Sequence, residues 1–190
     1  MITDQFGKKW YKGNLHTHST NSDGRLSPEE VIGLYREEGY DFLALTDHWF
    51  MGEERQEENF LLLSGAEYDV GNNVRDGIYH VVGIAMQKEP KLEKGPELQE
   101  KQAQLMIDRI HEAGGIAILA HPAWSMNRAS EVCLLKDLDG CEIYNTTSGR
   151  GTVDPIRALS WMNWQRRDMC CPAWQRTTRI STQATKQNLT

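Results

Sequence analysis

The sequence predicts an α/β protein built on a parallel sheet or a β/α barrel, and three observations carry that expectation. Strand-like apolar runs alternate with helical stripes over most of the chain. Polar residues collect at the C-terminal ends of those runs, the side on which parallel β/α architectures place their sites. Five of the six histidines, His16, His18, His48, His80 and His121, stand at or beside such ends.

The elements follow in chain order. A short extended start ends in "NLHTHSTNSDGRLSPEE", residues 14–30. Ser27 precedes Pro28 and is followed three residues later by Glu30, which spells a capping box with proline at its favoured first helical position. Val31, Ile32, Leu34 and Tyr35 then give an apolar stripe that ends at Gly39. "YDFLALTDH" reads as a buried strand with its polar residues at the far end, and "NFLLLSGAE" repeats the pattern with Glu67 last. "GIYHVVGIAM" is a third strand, and the charged loop "QKEPKLEKGPE" leads into a helix from about Leu98 to Ala113, closed by Gly114 and Gly115. The strands "IAILAHP" and "GCEIYN" complete the pattern.

Composition narrows the function classes. The length of 190 residues suits one domain. No run approaches the roughly 20 apolar residues that span a bilayer, and the start carries no apolar signal core, so a cytoplasmic setting without membrane contact is expected. Cys133, Cys141, Cys170 and Cys171 have neither disulfide-framework nor zinc-knuckle spacing. The net charge of −6 argues against a nucleic-acid track. It also means that a small anionic substrate needs a bound cation nearby.

The charge is unevenly spread. Residues 1–151 hold 15 Lys/Arg against 25 Asp/Glu, whereas residues 152–190 hold six against two. All 16 glycines fall at or before Gly151, and half of the tryptophans fall after it. Residues 1–151 are therefore read as the folded domain and 152–190 as an aberrant tail, loosely packed or disordered.

A lone histidine is usually a hydrogen-bonded core or surface side chain, and His111, on a helix, is read that way. Five histidines joined by Asp23 and Glu67 at successive strand ends are better explained by a metal cluster. In extended chain His16 and His18 project to one side, and a carboxylate such as Glu67 can bridge two cations. Imidazole mixed with carboxylate suits zinc, manganese or iron better than magnesium or calcium. Asp23 has a second explanation, an Asx turn before Gly24. Asp47, beside His48, is expected to hold an imidazole tautomer from outside the ligand set.

"NLHTHSTNSDG", "ALTDH", "SGAE", "YHVVG" and "AHP", in that order, resemble the PHP (polymerase and histidinol phosphatase) family of metal-dependent phosphoesterases. The resemblance spans residues 14 to about 151. It implies a distorted seven-stranded β/α barrel, TIM-like, here truncated to about five strands, with two or three divalent ions at its rim. Matched motif by motif, it implies the ligands His16, His18, Asp23, His48, Glu67, His80 and His121. It further implies hydrolysis of a small phosphate ester by a metal-bound hydroxide, with Arg25 and Arg150 as candidate phosphate contacts against the alternative of solvated surface arginines. Family members usually add a late Asp-x-His pair, and no histidine follows His121. Impaired activity is the expectation.

The break at Gly151 suggests that the tail is encoded out of frame. A one-base shift is closed, because Met162-Asn163 then yields a stop codon. A two-base shift stays open and permits glycines, an apolar strand and an Asp-x-His. Two other function classes stay open: an amidohydrolase-like enzyme acting on C–N bonds, and an inactive metal-binding remnant. A polymerase-proofreading role is the least supported.

Overall fold

The computed structural model describes residues 1–73, 77–93, 99–145 and 180–182. Arg150 lies outside them, as does the expected tail apart from 180–182.

Near the start, β1 (Ile2–Thr3) and β2 (Lys9–Trp10) pair antiparallel as an exposed ribbon. A four-stranded sheet follows in the order β3 (Gly13–Asn14), β4 (Phe42–Ala44), β6 (Phe60–Leu63), β5 (Arg55–Glu57), parallel except where β5 meets β6. Helix α1 (Pro28–Glu37) links β3 to β4, as a parallel crossover requires. Its capping box forms as the sequence predicts, with the Ser27 hydroxyl and the Glu30 carboxylate each serving the other's backbone N–H. Gly39, at φ 72°, lets the Gly39 and Tyr40 N–H groups donate back to the Arg36 and Tyr35 carbonyls and so ends the helix.

The larger sheet runs β11 (Ile180–Thr182), β10 (Gly140–Asn145), β9 (Ile116–Leu119), β8 (Gly77–Ile84), β7 (Gly65–Asn73). Here the all-parallel expectation fails. β7–β8 and β8–β9 are antiparallel, and only β9–β10 and β10–β11 are parallel. Too little chain separates β7 from β8 for a crossover, which takes a dozen or more residues. "NFLLLSGAE", read as one strand, is two, because Ser64 breaks the run and its hydroxyl donates to the Met86 carbonyl. A parallel bridge between His48 and Glu67 joins the two sheets. No closed barrel is found among the described residues; the fold is a mixed α/β arrangement of several sheets.

Strands β8 and β9 are covered on both faces, which explains their unbroken apolar runs. On one face, Val81, Tyr79 and Leu119 pack with Ala103, Met106, Ile107 and Ile110 of helix α2 (Gln99–Glu112). The opposite face of β8 sets Val82 and Ile84 against Ala44, Ile118 and Ala120. A Cβ on Gly83 would lie 2.9 Å from the Ile110 side chain, so the absence of a side chain there lets α2 approach. Val31, Ile32 and Tyr35 of α1 form a separate core with Leu43, Phe60 and Leu62. The short helix α3 (Ala129–Val132) precedes β10 and packs Val132 into the first core.

Candidate metal centre

The fold delivers its histidines to one place. His16 lies two residues beyond β3, His121 two beyond β9, and His48 four beyond β4, while His80 sits within β8 diagonally across from Glu67 on β7. Glu67 is 1% exposed and forms the hub. Its Oε2 lies 3.1 Å from His16 Nε2, 3.0 Å from His18 Nε2 and 3.6 Å from His48 Nε2. Its Oε1 lies 2.9 Å from His80 Nδ1 and 3.2 Å from His121 Nε2.

Behind the rings stands an outer layer of acceptors. The His18 Nδ1 faces the Ser22 hydroxyl at 3.3 Å and Asp23 Oδ1 at 3.2 Å, and the His121 Nδ1 faces the Ser125 hydroxyl at 3.0 Å. Glu142 Oε2 stands 3.4 Å from His16 Nδ1, and Asp69 Oδ1 stands 3.6 Å from His48 Nδ1. Trp49 Nε1 donates to Asp69 Oδ1 at 2.6 Å. An Nδ1 that donates outward leaves an unprotonated Nε2 pointing inward.

That orientation tests the fit of a cation. Inward lone pairs meet a carboxylate and one another, as in the 3.1 Å approach of His16 Nε2 to His18 Nε2, and acceptors gathered so closely need positive charge between them. Among the described residues no Lys or Arg supplies it, and the ion-pair partners of Glu67 are imidazoles. Ligand atoms of a tetrahedral ion at 2.0–2.1 Å are roughly 3.4 Å apart, close to the separations seen here. Among the described residues two groups have the necessary proximity, His16–Glu67–His121 and His18–His48–Glu67, and they share Glu67. The residues present fit the binding of a divalent cation.

Without a cation, protons serve. Burial works against a charged His16, but the Glu67 and Glu142 carboxylates overcome it and hold its pKa well above 6.5. Burial likewise works against ionised Glu67, and the charge of His16 overcomes it, keeping Glu67 well below 4.5. The hydrogen bond with Asp69 raises His48, and burial lowers His121.

The remaining site residues fall as follows. Asp23 is mostly exposed, near His18 and 4.0 Å from His48 Nε2, on a turn where a Cβ at Gly24 would strike the His18 carbonyl at 2.6 Å. Asp47 is buried. It accepts from the Ser19 N–H and from the Ser19 and Ser22 hydroxyls, so it braces the loop carrying His18 and Asp23 and touches no imidazole. Arg25 is exposed on the same loop. His111 sits apart, its Nε2 2.7 Å from Asp139 Oδ2, a surface tie between α2 and the start of β10. Trp49 and His121, with φ of 55° and 24°, carry left-handed backbone beside the cluster, where strain of this kind tends to gather.

Glu142 and Asp69 were missed by the sequence reading. Asp69 was legible: two residues beyond Glu67 on one strand, it must share Glu67's face. Glu142 carried no such signal, because its place beside His121 depends on the β9–β10 register, Cys141 opposite Leu119.

No family model matches the chain. A 5′-3′ exoribonuclease of Haemophilus influenzae is 34% identical over 114 residues, covering 54% of this chain and 41% of that protein. The chain thus spans about two-fifths of that relative's length. An uncharacterized protein of Methanocaldococcus jannaschii is 24% identical over 157 residues, covering 76% of this chain and 88% of that one. Among solved structures, a candidate metal-dependent phosphoesterase of Bifidobacterium adolescentis superposes with a TM-score of 0.57 at 13% identity, covering 82% of this chain and 84% of its own. An amidohydrolase of Chromobacterium violaceum, solved with sulfate and without metal, gives 0.54 at 17% identity with 82% and 83% coverage. A two-domain Bacteroides vulgatus protein containing a PHP-like metal-dependent phosphoesterase, itself assigned by prediction, gives 0.50 at 18% identity, covering 70% of this chain and 44% of its own.

Proposed function

We propose that this chain is a metal-dependent hydrolase of phosphate esters, holding two or three divalent ions of zinc, manganese or iron. The observation that carries the reading is the convergence of five imidazoles on one buried carboxylate, with no Lys or Arg beside it among the described residues. Glu67, His16, His18, His48, His80, His121 and Asp23 would hold the ions, with His16, Glu67 and His121 forming one close group and His18, His48 and Glu67 another. Bound divalent ions supply Lewis acidity and lower the pKa of a coordinated water toward about 7. Arg25, exposed on the Asp23 loop, and Arg150, from its place in the sequence, are the residues proposed to hold a phosphate. Asp47 keeps the His18–Asp23 loop in place during turnover.

The substrate is a small phosphorylated molecule in a cytoplasmic setting. The relative named as an exoribonuclease adds RNA 5′ ends to the esters worth assaying. The fold shared with an amidohydrolase supports a second reading, hydrolysis of C–N bonds with the same ligands. The missing late Asp-x-His makes turnover weak, down to an inactive metal-binding remnant, and we attribute the loss to a frameshift beginning near Thr152.

One panel separates these readings. Purified protein loaded with zinc or manganese is assayed on phosphate monoesters, 5′-phosphorylated RNA, amides and lactones, beside a frame-restored chain. Phosphate-ester turnover that is low here and higher in the restored chain supports the proposal; turnover confined to amides or lactones overturns it. Sequencing the gene tests the frameshift: codons of 152–190 that do not give Asp-x-His in the two-base-shifted frame sink it.

A further inference from the structure

We infer that Glu142 is a positioning residue that sets two metal-ligating arms at once, through the ring of His16 and the backbone of His121. The inference rests on the metal reading above and extends it to a residue outside every motif.

Glu142 is 3% exposed. A carboxylate buried in that way is costly to keep unless its lone pairs are all engaged. Its engagements point at the cluster. Oε2 accepts the His121 N–H at 2.9 Å and faces His16 Nδ1 at 3.4 Å, and Asn145 Nδ2 donates to both oxygens at 3.2 Å. The contact to His16 is an ion-pair separation rather than a hydrogen bond. One oxygen therefore meets the first arm of the cluster and the fifth, which lie 105 residues apart in sequence.

The chemistry of that oxygen decides what it does. An ionised carboxylate is acceptor only, so a neutral His16 facing it must carry its proton on Nδ1 and present a bare Nε2 toward Glu67. The opposite tautomer would put a proton where the ligand lone pair is needed. The same oxygen takes the N–H of His121, whose φ of 24° is a conformation that needs outside support to persist. Asn145, on the same strand, holds the carboxylate in turn.

The test uses the whole chain, with Glu142→Met to remove both acceptor oxygens at similar volume and Glu142→Gln to keep one. Nitrogen NMR of the histidine rings in chelator-treated protein, at a pH where His16 is neutral, reads the tautomer without requiring bound metal. Zinc titration calorimetry reads affinity. The parent is expected to hold His16 as the Nδ1–H form. Glu142→Met should mix the tautomers and weaken zinc binding about 10- to 100-fold, the usual consequence of removing an outer partner of a ligand, with Glu142→Gln in between. A role in packing alone would lower the melting temperature and leave the tautomer untouched. Parent-like tautomer and zinc affinity in the folded variants would overturn the inference, and if Glu142→Met fails to fold, Glu142→Gln decides on the same two readings. Should the parent bind no zinc, the metal reading falls, while the tautomer still decides the role of Glu142.

Discussion

Glu67 and His16 are the residues whose chemistry is most tightly coupled, and pH exposes the coupling. In the metal-free protein the folded pKa of His16 lies above its unfolded value of 6.5. Its contribution to stability is therefore complete below that pH and is lost as pH rises through the raised folded pKa. Glu67 has the opposite sign. Its folded pKa lies below 4.5, so its contribution is present above that value and is lost as pH falls through the lowered one. Chelated protein should melt highest in the mildly acidic window between the two and lower on its alkaline side. Zinc binding displaces the His16 proton, so zinc affinity should climb with pH until the raised pKa is passed. Melting curves with chelator across pH, and calorimetry with zinc, check both; an affinity flat in pH contradicts the pairing. At this scale the sequence was informative where a residue type is rare and its position telling, as with the histidines. It was silent on Glu142 and on the hydroxyls of Ser19, Ser22 and Ser125, whose roles depend on neighbours brought in by other strands.

Elements were legible where their signals are local. The capping box of α1 and the extent of α2 follow from side chains within one or two turns, and both formed as read. Replacing Ser27 with Ala should cost about 1 kcal/mol in urea unfolding, the usual cost of a lost cap, without changing metal content. Ile107 is fully buried where α2 meets the sheet, and Ile107→Ala should cost about 2–5 kcal/mol. A loss under half a kcal/mol would mean that α2 is not seated as described. Strand direction was not legible. A run such as "GIYHVVGIAM" is apolar because both faces are covered, and coverage is the same whether its neighbours run parallel or antiparallel. The break at Ser64 and the short link from β7 to β8 decided direction, and neither alters the hydrophobic pattern.

For the whole molecule, the site and the fold are stabilised together, because bridging cations would tie strands from both sheets through Glu67. A ligand at about a thousand times its dissociation constant adds roughly 4 kcal/mol, so chelation should lower the melting temperature by several degrees. Among the described residues no helix is long and apolar enough to cross a membrane. Ile180–Thr182 pair in parallel with β10. Backbone pairing of that kind can be supplied by any extended segment, so it says nothing about reading frame. Ending the chain at Gly151 should expose that edge and increase aggregation on size-exclusion chromatography; an equally monodisperse shortened chain would show that the pairing contributes little.

The central claim is that five histidines and Glu67 hold metal, and metal content per chain tests it most directly. Protein purified without chelators and analysed by elemental mass spectrometry should carry about two or three divalent ions per chain. That number should fall in His16→Ala and again in His80→Ala, each shown by circular dichroism to be folded. Protein that carries no zinc, manganese or iron and takes up none on titration, or variants that keep the parent's full content, would contradict the account.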